Sequence, residues 1–413
     1  MKIEINRSEP TIMHIDLNSC FAMLEQQANP LLRGKPVAIT NRLTRGATII
    51  AASYEAKSFG IGVGTKLNEA KQLCPNIIVL ETDPPKYIYA HKVFHRIISS
   101  YSPIAYMKSI DEGIIDFANT RLVNRRPLVE IGQEIKSRLQ EGLGEWITCN
   151  IGIAPNRFLA KLAASLHKPD GLDVISHRNL QPVYELLTLM DLPGINRRYQ
   201  ARLNIYGIFT PLDFLAANER LLKKQVFQSL NGYLWYLRLR GWEVDDVEFS
   251  TKTVGRQYVL HEWTNNNQKL APILMKMCEG LGRRMRAKGF CARGLFVGSW
   301  FINGQYWYAR QKFKTKLFTT QDLFARAWHL LSKRPSTTTI KALTVSAYGL
   351  LPAQDKQTIL FETNDMRRWR LAEVVDDINN RFGEFSVMPA AMADTEHLVP
   401  EKIPFGTVKY FGG

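Results

Sequence analysis

The hydrophobic pattern switches repeatedly between short apolar runs and helical spacing. Ile12-Met13-His14-Ile15-Asp16-Leu17 reads as a short strand closing on an acidic residue, and Ala47 to Ala52 as a second strand. A helix is predicted over Asn68 to Leu73, stopped near Pro75. Ile104 to Ser109 and Gly113 to Phe117 pair as a tight hairpin. From Trp146 to Ile153 the chain alternates like a strand, and Ala154-Pro155-Asn156 opens a helix that ends near Lys168-Pro169-Asp170-Gly171. Together these elements predict an α+β core. Pro193-Gly194 then breaks two helical stretches; such a turn is usually only a turn, though its backbone amides and neighbouring arginines could take a phosphate.

The C-terminal half has its own order. Strand Val254 to His261, helix Lys269 to Lys288, strand Cys291 to Ile302, the turn Asn303-Gly304, strand Gln305 to Leu317, helix Thr320 to Leu331 and strand Ile340 to Leu350 follow one another. Asn-Gly between two strand-like runs is the strongest short hairpin signal. This β-α-β-β-α-β order predicts a sheet with both helices on one face and the other face open. A further helix is predicted from Met366 to Phe382.

Two tempting motifs are set aside on spacing. Gly60, Gly62 and Gly64 lack the G-x-x-x-x-G-K-[ST] order of a phosphate-binding loop and read as turn glycines. His91 and His95 stand four apart with no H-E-x-x-H and no third ligand nearby, so they read as one helix face.

The carboxylates carry the chemistry. Asp16 follows an apolar run, and Asp111-Glu112 fall in the turn of the hairpin, the one place where adjacent residues of a strand can reach a common point. A buried carboxylate is costly unless a cation meets it. Oxygen ligands from two neighbouring strands suit Mg²⁺, which keeps waters and is held by one or two carboxylates together with a substrate's phosphates. Phosphoryl transfer is therefore the expected chemistry.

Charge points to the partner. The chain of 413 residues carries 54 Lys and Arg against 38 Asp and Glu, a formal net +16, with pI near 9.6. Lys252 to Lys316 alone contains 13 Lys/Arg and two Asp/Glu, a surplus of 11. Such a footprint favours a polyanion through counterion release. Arg310, Lys312, Lys314 and Lys316 share one parity of a strand and hence one face, as a strand riding along a phosphate backbone would. The length suggests two to four domains, and 45% apolar residues supply real cores. Five scattered cysteines, with no C-x-x-C pair, indicate neither a disulfide framework nor a zinc site. Without a membrane-length apolar run or an apolar leader in Met1 to Arg7, a cytoplasmic protein is expected.

Five blocks, in unbroken order, resemble the Y-family, DinB/UmuC-like translesion DNA polymerases: His14-Ile15-Asp16-Leu17-Asn18-Ser19-Cys20-Phe21 with Leu24-Glu25; Asn29-Pro30-Leu31-Leu32-Arg33-Gly34-Lys35-Pro36-Val37; Tyr54-Glu55-Ala56-Lys57; Ser109-Ile110-Asp111-Glu112; and Gly152 to Ala163. The resemblance covers roughly residues 10 to 350. It implies a right-hand polymerase. A ferredoxin-like palm would span 10–20 and 82–175, small fingers 21–81, a helix-hairpin-helix thumb 176–245 and a DNA-binding little finger 252–351, before a tail of 352–413. By the same resemblance Asp16, Asp111 and the main-chain oxygen of Leu17 would hold two Mg²⁺ ions, with Glu112 completing the cluster. Phe21 would be the steric gate against a ribose 2′-hydroxyl. Tyr54, Lys57 and Lys168 would contact the triphosphate of a deoxynucleotide, and Ile50 would roof the nascent base pair. The implied partners are primer-template DNA, deoxynucleoside triphosphates and a β-type sliding clamp, the enzyme acting as a monomer on the nucleoid.

Departures from the family pattern bear on subgroup and substrate range. Lys57 stands where Arg is common, a point charge in place of a bidentate fork. Ala51 lacks a frequent hydroxyl, Ile50 replaces a small residue and implies lower tolerance of bulky adducts, Gly113-Ile114-Ile115 replaces Ala-aromatic-Leu, and Asn196 replaces a hairpin glycine. In the tail, Gln357, Leu360 and Phe361 lie in Gln357-Thr358-Ile359-Leu360-Phe361, similar to the Q-x-x-L-F peptide that binds the clamp. The competing class is a non-catalytic adaptor of the same fold, which would be expected to lack the acidic ligands that Asp16, Asp111 and Glu112 supply.

Overall fold

The computed structural model describes residues 4–43, 46–120, 126–247, 250–335, 338–353, 364–393, 395 and 398–399. They divide into two compact units, one within Met1–Val247 and one within Glu248–Glu401.

The first unit has eight strands among its described residues: β1 Ile12–Leu17, β2 Val37–Thr40, β3 Ile49–Ala52, β4 Ile78–Glu81, β5 Ala105–Met107, β6 Glu112–Asp116, β7 Cys149–Ala154 and β8 Leu172–Val174. The main sheet runs β5-β6-β1-β7-β8, with β1 antiparallel to both neighbours. Alternation along β1 decides what each face carries. Met13, Ile15 and Leu17 join a core with Tyr87 and Phe94 of helix Pro84–Ser99 and Ile131, Ile135 and Leu139 of helix Leu128–Leu143. Ile12 joins the opposite core, under helix Arg157–Leu166. That helix lies close because Gly152 has no Cβ; one added there would overlap the Ala160 carbonyl oxygen. The first core continues through helix Cys20–Ala28 to Val37 and Ile39 of a smaller sheet ordered β3-β2-β4.

Two strands of the first unit begin at least two residues later than periodicity predicts. Trp146 and Ile147 complete the alternating pattern before β7, yet their amides bond to the Gln27 side chain at 2.8 Å and the Gly144 carbonyl at 3.1 Å, so the ladder starts at Cys149. Thr48 makes only an isolated bridge to Lys66, and β3 starts at Ile49. After β8 the chain is helical. Leu203, Phe214, Phe227 and Trp235 bury together, Gly194 turns at φ +95°, and the Asn196 side chain caps helix Arg197–Ile205 by accepting from the amides of Arg198 and Tyr199.

The second unit follows the expected order with element ends displaced by at most three residues: β9 Thr253–Thr264, helix Asn267–Ala287, β10 Phe290–Phe301, β11 Tyr306–Leu317, helix Thr320–Leu331 and β12 Ile340–Pro352. Its sheet is antiparallel, in the order β11-β10-β12-β9. Both helices share one core with Leu295, Val297, Leu343 and Val345, so they cover one face and leave the other open. Helix Asn364–Phe382 is fastened outside them: Arg286 donates to Asp376 at 2.6 and 2.9 Å, and Trp369 stacks on Phe318 at 4.3 Å.

Candidate active site

Asp16 of β1 stands opposite Glu112 of β6, and the Leu17 amide donates to the Asp111 carbonyl at 2.9 Å. The two halves of the acidic set, 95 positions apart, are thus joined by the ladder itself. Asp111 precedes β6 in the bend 108–111, where the amides of Lys108 and Ser109 turn back to the Glu112 carbonyl at 2.8 and 3.3 Å. This is the distortion that lets neighbouring carboxylates serve one site. Ser109 donates to Asp111 Oδ1 at 2.5 Å.

Burial raises the Asp16 carboxyl and pushes that of Asp111 up to about 6; for Asp111 the charges of Asp16 and Glu112 add to the effect. Burial also pushes Glu112 upward, but the charges of Lys161 and Lys168 hold it below its ordinary value. Lys161 does so by donating to both Glu112 oxygens at 2.6 and 2.8 Å. Lys168 pairs with Asp16. His14 lies 4.0 Å from Glu112, and burial depresses its imidazole to about 3, so at neutral pH it is a neutral polar neighbour.

Lys168 is set by a buried amide relay. Asn18 donates to Asn150 at 2.7 Å, Asn150 donates to the His167 carbonyl at 2.9 Å, and the Asp170 amide donates back to Asn18 at 3.0 Å. Beside it, Lys57 donates to Ser19 Oγ at 2.7 Å and sits 4.3 Å from the centre of the Tyr54 ring. Three cation or hydroxyl groups therefore border Asp16. Phe21 is buried and stacks on Tyr87 with centroids 4.2 Å apart and planes 8° apart. Tyr87 in turn donates to Glu25 at 2.9 Å, and Lys86 donates to the other Glu25 oxygen at 2.6 Å. Ile50 is half-buried against the first core.

No three carboxylate, imidazole or thiolate groups converge as a closed metal cage among the described residues. The donor set nonetheless fits a hard divalent ion. Asp16 and Asp111 are both raised by burial, a cost that a cation relieves, and magnesium needs only one or two protein carboxylates.

In the second unit Arg310, Lys312 and Lys314 are exposed along β11 and Lys316 is half-buried, while Trp307, Ala309 and Phe313, of the other parity, pack toward the helices. Gln357, Leu360 and Phe361 lie outside the described residues. Among the described residues no helix is long and apolar enough to cross a membrane, and all five cysteines are buried.

The residues that sequence reasoning left without a role are Lys161, His14, Asn18, Asn150 and Ser109. All five fall in or beside the quoted blocks, but only the register and the helix packing show which carboxylate or loop each one serves.

Residues 15–165 match the impB/mucB/samB family model, and residues 251–360 match the C-terminal domain model of the same family. The chain belongs to this family, the DinB/UmuC-like branch of the Y-family polymerases. A relative from Moorella thermoacetica, named DNA polymerase IV, is 31% identical over 91% of this chain and 94% of its own length. DNA polymerase IV 1 of Bacillus subtilis is 27% identical over 90% of each. Among solved structures, a Y-family chimera of Dbh and Dpo4 gives a TM-score of 0.72 at 25% identity, covering 83% of this chain and 99% of the chimera. DinB from Sulfolobus solfataricus gives 0.55 at 25% identity with the same coverage. As a Y-family chain, the protein has its acidic set inside the N-terminal match and its basic strand inside the C-terminal one.

Proposed function

We propose that this chain is a template-directed DNA polymerase that adds deoxynucleotides to a primer 3′ end across damaged template bases. The observation that carries this reading is the Asp16–Asp111–Glu112 set on paired strands, flanked by Lys57 and Lys168, within a chain of this family. Y-family membership implies dependence on a divalent metal; the ions are proposed to be two Mg²⁺, held by Asp16, Asp111 and the Leu17 carbonyl with Glu112. When bound, such ions activate the primer hydroxyl and stabilise the leaving pyrophosphate.

The protein's own side chains do the rest. Lys168 and Lys57 are proposed to release Asp16 and Ser19 and take the triphosphate, with Tyr54 donating beside them. Lys161 keeps Glu112 ionised and fixes its direction. Phe21, backed by Tyr87, closes the space a ribose 2′-hydroxyl would need, and Ile50 would lie over the nascent pair. Palm, fingers and thumb are assigned to 10–20 with 82–175, to 21–81 and to 176–245. Gly194 would serve the thumb as a backbone phosphate contact, while residues 252–351, with Arg310, Lys312, Lys314 and Lys316, would hold duplex phosphates as the little finger. Gln357, Leu360 and Phe361 are proposed as the clamp peptide.

Primer extension on undamaged and abasic templates, beside Asp111→Ala/Glu112→Ala, tests the reading. Extension by the wild type alone is expected. Absence of extension by both, with DNA binding retained, would return the protein to the adaptor class.

A further inference from the structure

The open face of the second unit's sheet carries more than a row of cations. Phe296 and Trp300 of β10 share a face with Tyr306 and Tyr308 of β11, because Trp300 pairs with Tyr306, Gly298 with Tyr308 and Phe296 with Arg310. Their rings form a continuous series: Phe296 to Tyr308 at 5.5 Å, Tyr308 to Tyr306 at 6.1 Å and Tyr306 to Trp300 at 4.5 Å between centroids. Such a series would ordinarily be buried, yet Tyr308 is 57% exposed, Trp300 42% and Tyr306 38%.

Glycines hold two rings down. A Cβ at Gly298 would overlap the hydroxyl end of Tyr306, and one at Gly294 would overlap the ring of Tyr348 from β12. The rings therefore lie across the strands and turn a side toward solvent. Arg310, Lys312 and Lys314 continue the same face, so an aromatic surface grades into a cationic one along a single strand.

Duplex phosphates need the cations and have no use for exposed π-faces, since paired bases are already stacked. A single strand needs both: a charged track for its backbone and rings on which unpaired bases stack. The geometry points to a single-stranded DNA platform on this face, with Tyr306, Tyr308, Trp300 and Phe296 as stacking residues and Arg310, Lys312 and Lys314 as the phosphate track. It rests on the nucleic-acid reading of this sheet: the cation row takes the backbone of a duplex or a single strand alike, and the rings add a preference for unpaired bases.

The test uses the full chain and fluorescence anisotropy with an oligothymidine of roughly 16 nucleotides and with a blunt duplex of equal length. Tyr306→Ala/Tyr308→Ala should weaken oligothymidine binding about tenfold or more and alter duplex binding less than about twofold, since the cation row is intact. Tyr308→Lys separates stacking from charge at a highly exposed position where the fold tolerates change. Weaker oligothymidine binding supports the platform, and tighter binding assigns the face to charge alone and overturns it. Wild-type affinity in the double alanine variant, or equal losses for both ligands, also overturns it. Tyr306→Phe/Tyr308→Phe, which keeps the rings, should bind as wild type. Failure of the polymerase reading is seen separately, as absent primer extension by a wild type whose oligothymidine binding is still measured.

Discussion

Lys161 donates to both carboxylate oxygens of Glu112, at 2.6 and 2.8 Å, from a helix that begins 45 residues after that glutamate. Burial would otherwise drive this carboxylate toward its neutral form. Lys161→Met should therefore raise the Glu112 carboxyl and lower polymerase activity by roughly 10–100-fold, the usual effect of losing a group that orients a metal ligand. Activity against pH distinguishes this from simple misfolding. The acidic limb of the profile should move to higher pH, and Lys161→Arg should restore most of it.

The ring of Phe21 is held by a stack on Tyr87, which Glu25 and Lys86 anchor. Phe21→Ala is expected to raise ribonucleotide use relative to deoxynucleotide use by at least about tenfold, because removing bulk relaxes exclusion of one hydroxyl. Tyr87→Ala should give a smaller change of the same sign, by loosening the backing ring. Competition assays with matched ribo- and deoxynucleotides measure both; unchanged discrimination in Phe21→Ala would remove the gate assignment.

Two buried groups give the metal-free chain opposing pH dependences. His14 is depressed from 6.5 to about 3 by burial, so the unfolded chain binds its proton first; its contribution is present above about pH 6.5 and is lost as pH falls, by up to roughly 1.4 kcal/mol per pH unit. Asp111 is raised to about 6, so the folded chain holds its proton longer; that contribution is present below the ordinary carboxylate range and is lost as pH rises through 6. Melting in a chelator between pH 4.5 and 7.5 should show Asp111→Asn with a steeper acid loss than wild type and His14→Leu with a shallower one. Added Mg²⁺ should stabilise the wild type most above pH 6.

Arg310, Lys312 and Lys314 stand exposed on one side of β11. Each alanine substitution should weaken duplex binding and reduce the slope of log affinity against log salt by about 0.9. The losses should not depend on sequence, since phosphate contacts carry none. A titration series in salt on two unrelated duplexes decides the matter.

What could be read from the sequence was whatever repeats with a short period or closes a local turn. The alternation of β9 to β12 and the Asn303-Gly304 hairpin are decided within a few residues, and the structure departs from these readings only at the ends of elements. Asp16 and Asp111-Glu112 were legible as a pair of motifs, because a carboxylate after an apolar run is costly enough to need a reason. The pairing of Lys161 with Glu112 was not legible, because it depends on how closely a helix settles on Gly152. Nor was the neutral state of His14, which burial rather than any neighbour in sequence determines. The aromatic series from Phe296 to Trp300 needed the register between β10 and β11, which spacing alone does not supply.

Register of a different kind fastens the tail helix. Asp376 takes two bonds from Arg286, whose side chain is only 4% exposed, and Arg283 adds bonds to Glu384 at 3.2 Å and Asn380 at 3.1 Å. Beyond the helix, the buried Lys276 donates to the Thr395 carbonyl and Arg256 to the Val399 carbonyl. These four cations are thus matched inside the protein. Removing one partner of a buried pair leaves an unmatched charge and costs about 3–5 kcal/mol; the bond from Arg286 to the Phe318 carbonyl at 3.0 Å remains and places Asp376→Ala toward the low end. Chemical denaturation should show that loss in the second unit's transition. Arg286→Met/Asp376→Leu should recover much of it, because exchanging both members removes the buried charge along with the bond. Oligothymidine and duplex affinities should be unchanged in the double variant, since neither residue lies on the open face of the sheet.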